Sequence, residues 1–155
     1  MKIDETDRRI LALLQENADL SVAEIGTRVG LSSTPCWRRI QNLEKQGVIR
    51  KKVALLDRRA IDVPLTVFVM IRTSQHSDVW LEKFAKGVSE IPEVLEFYRM
   101  SGTVDYLLRV VVPSVEAYDG VYKRLISIAD LAEVSSSFAM EEIKYTTALP
   151  LGYAG

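Results

Sequence analysis

Apolar and polar positions repeat with helical spacing in three segments near the start of the chain, residues 4–17, 21–30 and 32–47. The second segment has the clearest boundaries, because Ser21 opens a capping box and Gly30 supplies the left-handed residue that ends a helix. Short helices joined by a glycine-containing turn of this length predict a helix-turn-helix, whose last helix enters the major groove of DNA.

The third segment has one apolar side and one polar side. At 100° per residue, Cys36, Ile40 and Leu43 fall together and are predicted to face the core. The opposite side carries an arginine that can read guanine, an amide that can read adenine, and hydroxyls suited to a base or a phosphate. A basic run that follows would track the DNA backbone. The residues predicted to contact DNA are Ser33, Thr34, Arg38, Gln41, Lys45, Arg50 and Lys51.

Other positions in this region have simpler interpretations. Arg39 lies at the edge of the predicted core, so we expect it to pair with an acid of the first helices, and Trp37 at the other edge is expected to pack. Cys36 is predicted to be a small buried thiol rather than a redox sensor. Val48–Ile49 is predicted to form a short strand.

The pattern changes after Pro64, where the nearly continuous apolar run 65–71 is typical of a covered strand. The elements that follow are helices from Asp78 and Ser114 and strands over 94–100, 106–112 and 134–144. The order βαββαβ predicts a ferredoxin-like motif, an antiparallel sheet with helices on one face. Apolar side chains on the uncovered face predict a homodimer. These side chains are Phe97, Leu107, Phe138 and Met140.

Composition is that of a globular protein, with 155 residues of which 48% are apolar and 26% charged. The net charge of −1 conceals an asymmetry. Residues 1–59 hold 12 basic and 8 acidic side chains, a net charge of +4, whereas residues 60–155 hold 8 basic and 13 acidic, a net charge of −5. This difference predicts two domains with different partners, of which only the first suits nucleic acid.

The sequence shows no signal for secretion and no candidate for a membrane-spanning segment. Cys36 is the only cysteine, so no internal disulfide is available, and the opening residues 1–4 do not resemble a secretory leader. The longest apolar stretches fall far short of the roughly 20 residues that a membrane span needs. We therefore expect a cytoplasmic protein without a membrane-spanning segment.

Candidate catalytic residues are sparse. His76 is the only histidine and has no metal-ligand spacing around it. Glu141 and Glu142 are neighbours on a predicted strand, so their side chains point to opposite faces and do not act on one atom. The sequence therefore predicts a protein that is not an enzyme and that holds no metal and no cofactor.

The segment 102–105 has a composition suited to binding a small zwitterion. A tight hairpin at Gly102 would expose backbone N–H groups to a carboxylate, and Asp105 would take an ammonium, together the two ends of an α-amino acid. A plain hairpin with a turn aspartate is an equal alternative on this motif alone. Serines 135–137 add hydroxyls to the last strand, although serines there are as often merely exposed.

Motifs in both parts of the chain point to one family. They are Asp4 and Asp7, Val29–Ser32, Thr34–Ile40, Leu43–Glu44, Gly47–Ile49, Met100–Tyr106 and Leu149–Leu151. With these motifs the sequence closely resembles the leucine-responsive/asparagine regulator (Lrp/AsnC) family over essentially its whole length. The segments most similar to the branch described as responding to cysteine are Thr34–Trp37, Lys52–Asp57 and Ser136–Glu141.

The resemblance implies an α+β regulator of transcription with a winged helix-turn-helix domain over 1–50, a strand linker over 51–63, and a ferredoxin-like effector and oligomerisation domain over 64–155. It implies double-stranded DNA and a small amino acid as partners, with dimers that form through the sheets and assemble to octamers or similar. Carried over by position, the effector-binding residues are Gly102, Val104, Asp105, Tyr106, Ser135, Ser136 and Ser137. An architectural DNA-binding protein without an effector and an enzyme using the second domain are the alternatives.

Overall fold

The computed structural model describes residues 3–154, which divide into two compact units. The helical unit comprises residues 3–55 and 144–154, and the sheet unit comprises residues 56–143. The helical unit contains α1 Glu5–Glu16, α2 Val22–Val29, α3 Ser33–Lys45 and a short 3-10 helix Leu151–Tyr153. The sheet unit contains β1 Leu65–Arg72, α4 Asp78–Ser89, β2 Val94–Arg99, β3 Tyr106–Val112, α5 Val115–Ile128 and β4 Glu133–Phe138.

The helices of the helical unit begin and end where the sequence predicts. The Asp4 side chain accepts a hydrogen bond from the backbone N–H of Asp7 at 2.8 Å, and Ser21 and Glu24 form a capping box. Gly30 ends α2 with φ +76°, a left-handed conformation that a glycine adopts without strain. The buried core of this unit consists of Ile10, Leu11, Ile25, Val29, Cys36, Ile40 and Leu43.

The segment that follows α3 differs from the prediction. The N–H groups of Val48 and Ile49 both donate to the carbonyl of Leu43, at 3.0 and 3.2 Å, so these residues close the helix end instead of forming a strand. Residues 51–63 contain turns near 58–62 and no strand. A strand requires a neighbour with which to exchange backbone hydrogen bonds, and no other part of residues 3–154 supplies one to this segment.

The C-terminal residues also lie elsewhere than predicted. Residues 144–154 join the helical unit, whereas the sequence assigned them to the second domain. The side-chain amide of Gln15 donates to the carbonyl of Leu149 at 3.1 Å and accepts from its N–H at 2.7 Å, and Arg8 donates to the carbonyl of Ala154 at 2.7 Å. Leu151 packs on the helical core, so this tail is held by apolar contact as well as by polar bonds.

The sheet unit has the predicted ferredoxin-like architecture. Its four-stranded antiparallel sheet has the order β2-β3-β1-β4, with α4 and α5 on one face. Val67, Val69 and Ile71 of β1 point to the helices and pack with Phe84 of α4 and Leu125 of α5. Because side chains alternate along a strand, Phe68 and Met70 point to the opposite face, which we call the open face.

The composition of the open face corrects the prediction. Phe97 packs edge-on against Phe84 at 5.5 Å, and Phe138 packs against Tyr118 at 5.5 Å, so both aromatic rings lie on the helix face. Met140 follows β4, which ends at Phe138, opposite Val67, and not at 144. Of the four predicted residues only Leu107 lies on the open face. Its apolar members are Phe68, Met70, Tyr98, Leu107 and Val111, of which Val111 is buried.

Candidate functional site

Helix α3 presents the polar side that its periodicity predicts. Cys36, Ile40 and Leu43 are buried in the helical core, and burial raises the pKa of the Cys36 thiol, which keeps the thiol protonated and unreactive. Ser32 precedes the helix in an extended conformation, so the first turn of α3 is exposed at its N-terminus. The exposed residues of the predicted DNA-contacting set on this helix are Ser33, Thr34, Arg38 and Lys45.

Gln41, the fifth member of that set on α3, is engaged within the chain. Its Nε2 donates to Glu44 Oε2 at 2.9 Å, and Glu44 Oε1 lies 3.2 Å from the ammonium of Lys52. A bidentate contact with adenine uses both ends of the amide, so the bond to Glu44 competes with that role. Sequence analysis missed this chain of contacts, although the spacing of Gln41 and Glu44 by three residues on a helix was a signal for it.

Arg39 has the partner that the sequence predicts. Its guanidinium Nη1 donates to Asp4 Oδ2 at 2.7 Å and to Asp7 Oδ1 at 2.8 Å. The backbone N–H of Asp7 and, after it, the Arg39 guanidinium hold the pKa of Asp4 below its usual range. This cluster joins the start of α1 to α3, so Arg39 fixes the orientation of the helix and is not free for DNA.

The remaining cations of the predicted set are exposed. Arg50 and Lys51 follow α3 in an exposed segment without helix or strand. Within residues 3–154, no acidic side chain forms an ion pair with Arg38, Lys45, Arg50 or Lys51. Exposed cations along α3 and the segment after it form a surface that attracts the phosphates of DNA.

The predicted effector hairpin is a six-residue loop, 100–105, and not a tight turn. Its ends are joined by a hydrogen bond from the N–H of Met100 to the carbonyl of Asp105 at 2.8 Å, and Gly102 has φ +120°. The Asp105 carboxylate accepts from the N–H of Thr73 at 2.8 Å, while the Asp105 N–H donates to the carbonyl of Ile71 at 2.9 Å. Asp105 therefore serves the fold by joining the end of β1 to the start of β3.

The other predicted effector residues do not share one surface. Tyr106 is buried on the helix face among aromatic rings, and Ser136 faces the same side, where its hydroxyl is hydrogen-bonded to that of Tyr118. Ser135 and Ser137 alternate with Ser136 and lie exposed on the open face. Gly102, Val104 and Asp105 lie in loop 100–105. The structure thus separates the seven residues into a loop group, an open-face group and a helix-face group.

Both units match known protein families. Residues 3–50 match the winged helix-turn-helix DNA-binding family, and residues 66–149 match the Lrp/AsnC ligand-binding domain. The chain belongs to the Lrp/AsnC family of transcriptional regulators. Among curated relatives, it is 50% identical over 150 residues to the DNA-binding transcriptional activator DecR of Escherichia coli, covering 96% of this chain and 99% of that protein.

Solved structures of this family have the same fold. An AsnC-family transcriptional regulator from Agrobacterium tumefaciens is 61% identical, with a TM-score of 0.95 over 97% of this chain and 98% of that one. A transcriptional regulator from Neisseria meningitidis, solved in complex with L-methionine, is 38% identical, with a TM-score of 0.92 over 97% of this chain and 98% of that one. Among residues 3–154, no helix is long and apolar enough to cross a bilayer.

Proposed function

We propose that this transcriptional regulator binds DNA through the exposed side of α3 and that a small amino acid bound by the sheet unit modulates that binding. The observation that carries the first half is the unpaired cationic side of α3, with Arg38 and Lys45 exposed and the opposite side buried. The second half is supported by the L-methionine complex of the similar regulator from Neisseria meningitidis. We expect the protein to act in the cytoplasm and without catalysis.

The effector site is built around loop 100–105. Backbone N–H groups near Gly102 receive the carboxylate of the amino acid, and the Asp105 carboxylate receives its ammonium. Asp105 can do this while it accepts from Thr73, because an ionised carboxylate has two oxygens and several acceptor positions. The identity of the amino acid does not follow from this arrangement, and membership of the cysteine-responsive branch stays a prediction.

A second copy of the chain completes the assembly. The open face carries Phe68, Met70, Tyr98 and Leu107, with a charged pair in which Arg109 Nε donates to Glu96 at 2.7 Å. An apolar face of this kind is stabilised when another copy covers it, and a symmetric dimer uses the same face twice. Dimers assemble further, to octamers or similar, so that effector sites lie between neighbouring copies. Ser135 and Ser137, which are exposed on strand β4, contribute to these sites.

One observation favours the alternative, an architectural DNA-binding protein without an effector. The Asp105 carboxylate already has a backbone partner, as a turn aspartate would. A screen of the twenty amino acids by thermal shift separates the two functions. A ligand present at 100 times its dissociation constant stabilises the folded protein by about 2.7 kcal/mol, so a true effector gives a large shift.

Each amino acid that stabilises the protein in this screen is then tested for its effect on DNA affinity. A duplex selected from a randomised pool is titrated with the full-length protein at fixed salt, with and without each stabilising amino acid. We expect one or a few amino acids to change both the unfolding temperature and the DNA affinity. DNA binding that is indifferent to all twenty supports the architectural alternative, and absence of sequence selection in the pool contradicts both.

A further inference from the structure

Trp37 is an unusually exposed aromatic residue for a helix that is otherwise polar on its outer side. Its relative exposure is 52%, although the sequence pattern predicts that it packs. The other tryptophan, Trp80, is stacked on Phe84 with ring centroids 4.9 Å apart. An indole left half in water forgoes much of the free energy that burial of a large apolar side chain supplies, so the position calls for a partner.

The position of Trp37 on α3 selects that partner. Thr34 precedes it by three residues and Gln41 follows it by four, so all three side chains are neighbours on one side of the helix. Trp37 also lies in the N-terminal half of α3, the half that meets base edges when such a helix enters the major groove. Its nearest surface neighbours are therefore the residues assigned to DNA.

Charge argues for DNA in preference to another protein surface. Arg38 follows Trp37 directly, and Lys45, Arg50 and Lys51 are exposed further along the same region. A partner that covers Trp37 must also accommodate these cations, which a polyanion does at no electrostatic cost. The indole has one N–H donor and no acceptor, so its recognition of DNA is mainly apolar.

We propose that Trp37 is a specificity-determining residue that packs against the 5-methyl group of a thymine in the major groove. That methyl group is the apolar feature that the major groove displays, and no other base carries it. Trp37 would then select thymine at one position of each half-site, beside the contacts that Arg38 makes. The inference rests on the proposed binding of DNA through α3.

The first test removes the methyl group from the DNA and leaves the protein unchanged. Duplexes are selected from a randomised pool with the full-length protein, and each conserved thymine is then replaced by deoxyuridine. At one position per half-site we expect the affinity to fall about fourfold, which is the contribution of one buried methyl group. Trp37→Ala should bind both duplexes equally, whereas Val79→Ala, a truncation of an exposed apolar residue of α4, should keep the difference.

The second test follows the indole itself. The chain has two tryptophans, so Trp80→Phe leaves Trp37 as the only one, and phenylalanine keeps a ring against Phe84. We expect the selected duplex to quench the fluorescence of Trp37 and high salt to reverse the quenching. Circular dichroism confirms that the variant is folded before the titration.

Three outcomes would overturn the proposal. They are equal affinity for thymine and deoxyuridine at every position, unchanged Trp37 fluorescence on the selected duplex, and a fluorescence change that depends on protein concentration without DNA, which would show that protein covers the indole. A Trp37→Ala protein that fails to fold leaves the deoxyuridine and fluorescence results to decide. Arg38→Ala tests DNA binding through α3 separately, so failure of the inference and failure of the proposed function are distinguishable.

Discussion

The helical unit and the sheet unit use their charged residues in opposite ways. In the helical unit the acids Asp4 and Asp7 both pair with Arg39, while Arg38, Lys45 and Lys51 remain exposed. In the sheet unit most cations are neutralised by acids of the same unit. These pairs are Arg58–Glu142, Arg72–Glu133, Arg109–Glu96, Lys123–Asp119 and Arg124–Glu93. The comparison teaches that the charge of a region matters less than which charges remain without partners.

The two units also differ in how complete their candidate sites are within one chain. The proposed DNA-contacting surface lies on one helix and the segment after it, so a single chain presents all of it. The predicted effector-binding residues are divided among a loop, the open face and the helix face, and three of them, Asp105, Tyr106 and Ser136, are used by the fold. We therefore expect a neighbouring copy to complete the proposed effector site, and we expect mutations of its residues to disturb the fold as well.

The largest expected effect concerns α3. Arg38→Ala should weaken binding of a selected duplex by roughly 1–3 kcal/mol per half-site and relax base preference, because Arg38 is exposed on the polar side of α3. Lys51→Ala should lower affinity on all sequences and reduce the salt slope by about one unit per subunit. Titrations at several salt concentrations, on the selected duplex and on a scrambled one, measure both effects. Preserved preference in Arg38→Ala together with altered preference in Lys51→Ala would reverse the assignment.

Gly26 of α2 lies against the turn between α2 and α3, and we expect this position to tolerate a side chain poorly. A Cβ on Gly26 would lie 2.6 Å from the carbonyl oxygen of Leu31, whose N–H donates to the carbonyl of Gly26. Backbone cannot yield as a flexible side chain does, so Gly26→Ala should lower the free energy of unfolding by about 1–3 kcal/mol. Urea unfolding of the full-length protein measures this.

Gly120 of the sheet unit supplies the matched control for Gly26. It lies within α5, and a Cβ there meets no heavy atom within 4 Å. Gly120→Ala should therefore stabilise the protein by roughly 1 kcal/mol, because alanine favours a helix over glycine. If Gly26→Ala were also neutral or stabilising, the close approach of the α2–α3 turn would not govern the packing of α3.

The sequence sufficed for features that local periodicity decides. Helix boundaries from Asp4 to Gly30, the buried side of α3 and the order of strands all follow from spacing and capping, and the structure confirms them. Features set by pairing between distant residues could not be predicted. The side to which Phe97 and Phe138 point depends on sheet register and on a bulge between Val94 and Glu96.

Hydrogen bonds between residues far apart in the sequence could not be predicted from it either. Thr73 is 32 residues from Asp105 along the chain, and Gln15 is 134 residues from Leu149. Neither residue belongs to a motif that signals its partner. The sequence therefore singled out Asp105 but not its partner Thr73, which only the structure identifies.

Asp105 tests whether a residue of the sheet unit serves the fold and the effector at once. Asp105→Asn keeps an oxygen that accepts from the Thr73 N–H but removes the charge, so effector affinity should fall about tenfold or more through loss of a charge-assisted hydrogen bond. Asp105→Ala removes the acceptor as well and should also reduce stability. Calorimetric titration with the amino acid found by thermal shift gives the affinity, and urea unfolding gives the stability.

Two results would change the interpretation of Asp105. Wild-type effector affinity in Asp105→Asn would place the ammonium elsewhere, and Asp105 would then be a turn residue alone. DNA affinity without effector should survive in Asp105→Asn, because the DNA-contacting residues belong to the helical unit. Loss of that affinity together with altered assembly would show that Asp105 acts through the oligomer.

The smallest expected effect is a pH dependence within the helical unit. The Asp7 backbone N–H and the Arg39 guanidinium lower the pKa of Asp4, so the unfolded chain binds a proton there at higher pH than the folded chain does. The resulting stability is fully present above the unfolded pKa, about 3.8, and is lost as the pH falls through the lower folded value. Asn is as good a cap as Asp, so Asp4→Asn removes the charge and keeps the cap. Urea unfolding from pH 7 to pH 3 should therefore show wild type more stable than Asp4→Asn at neutral pH, with the difference vanishing in acid; a constant difference would mean that Asp4 contributes through its cap geometry and not through its charge.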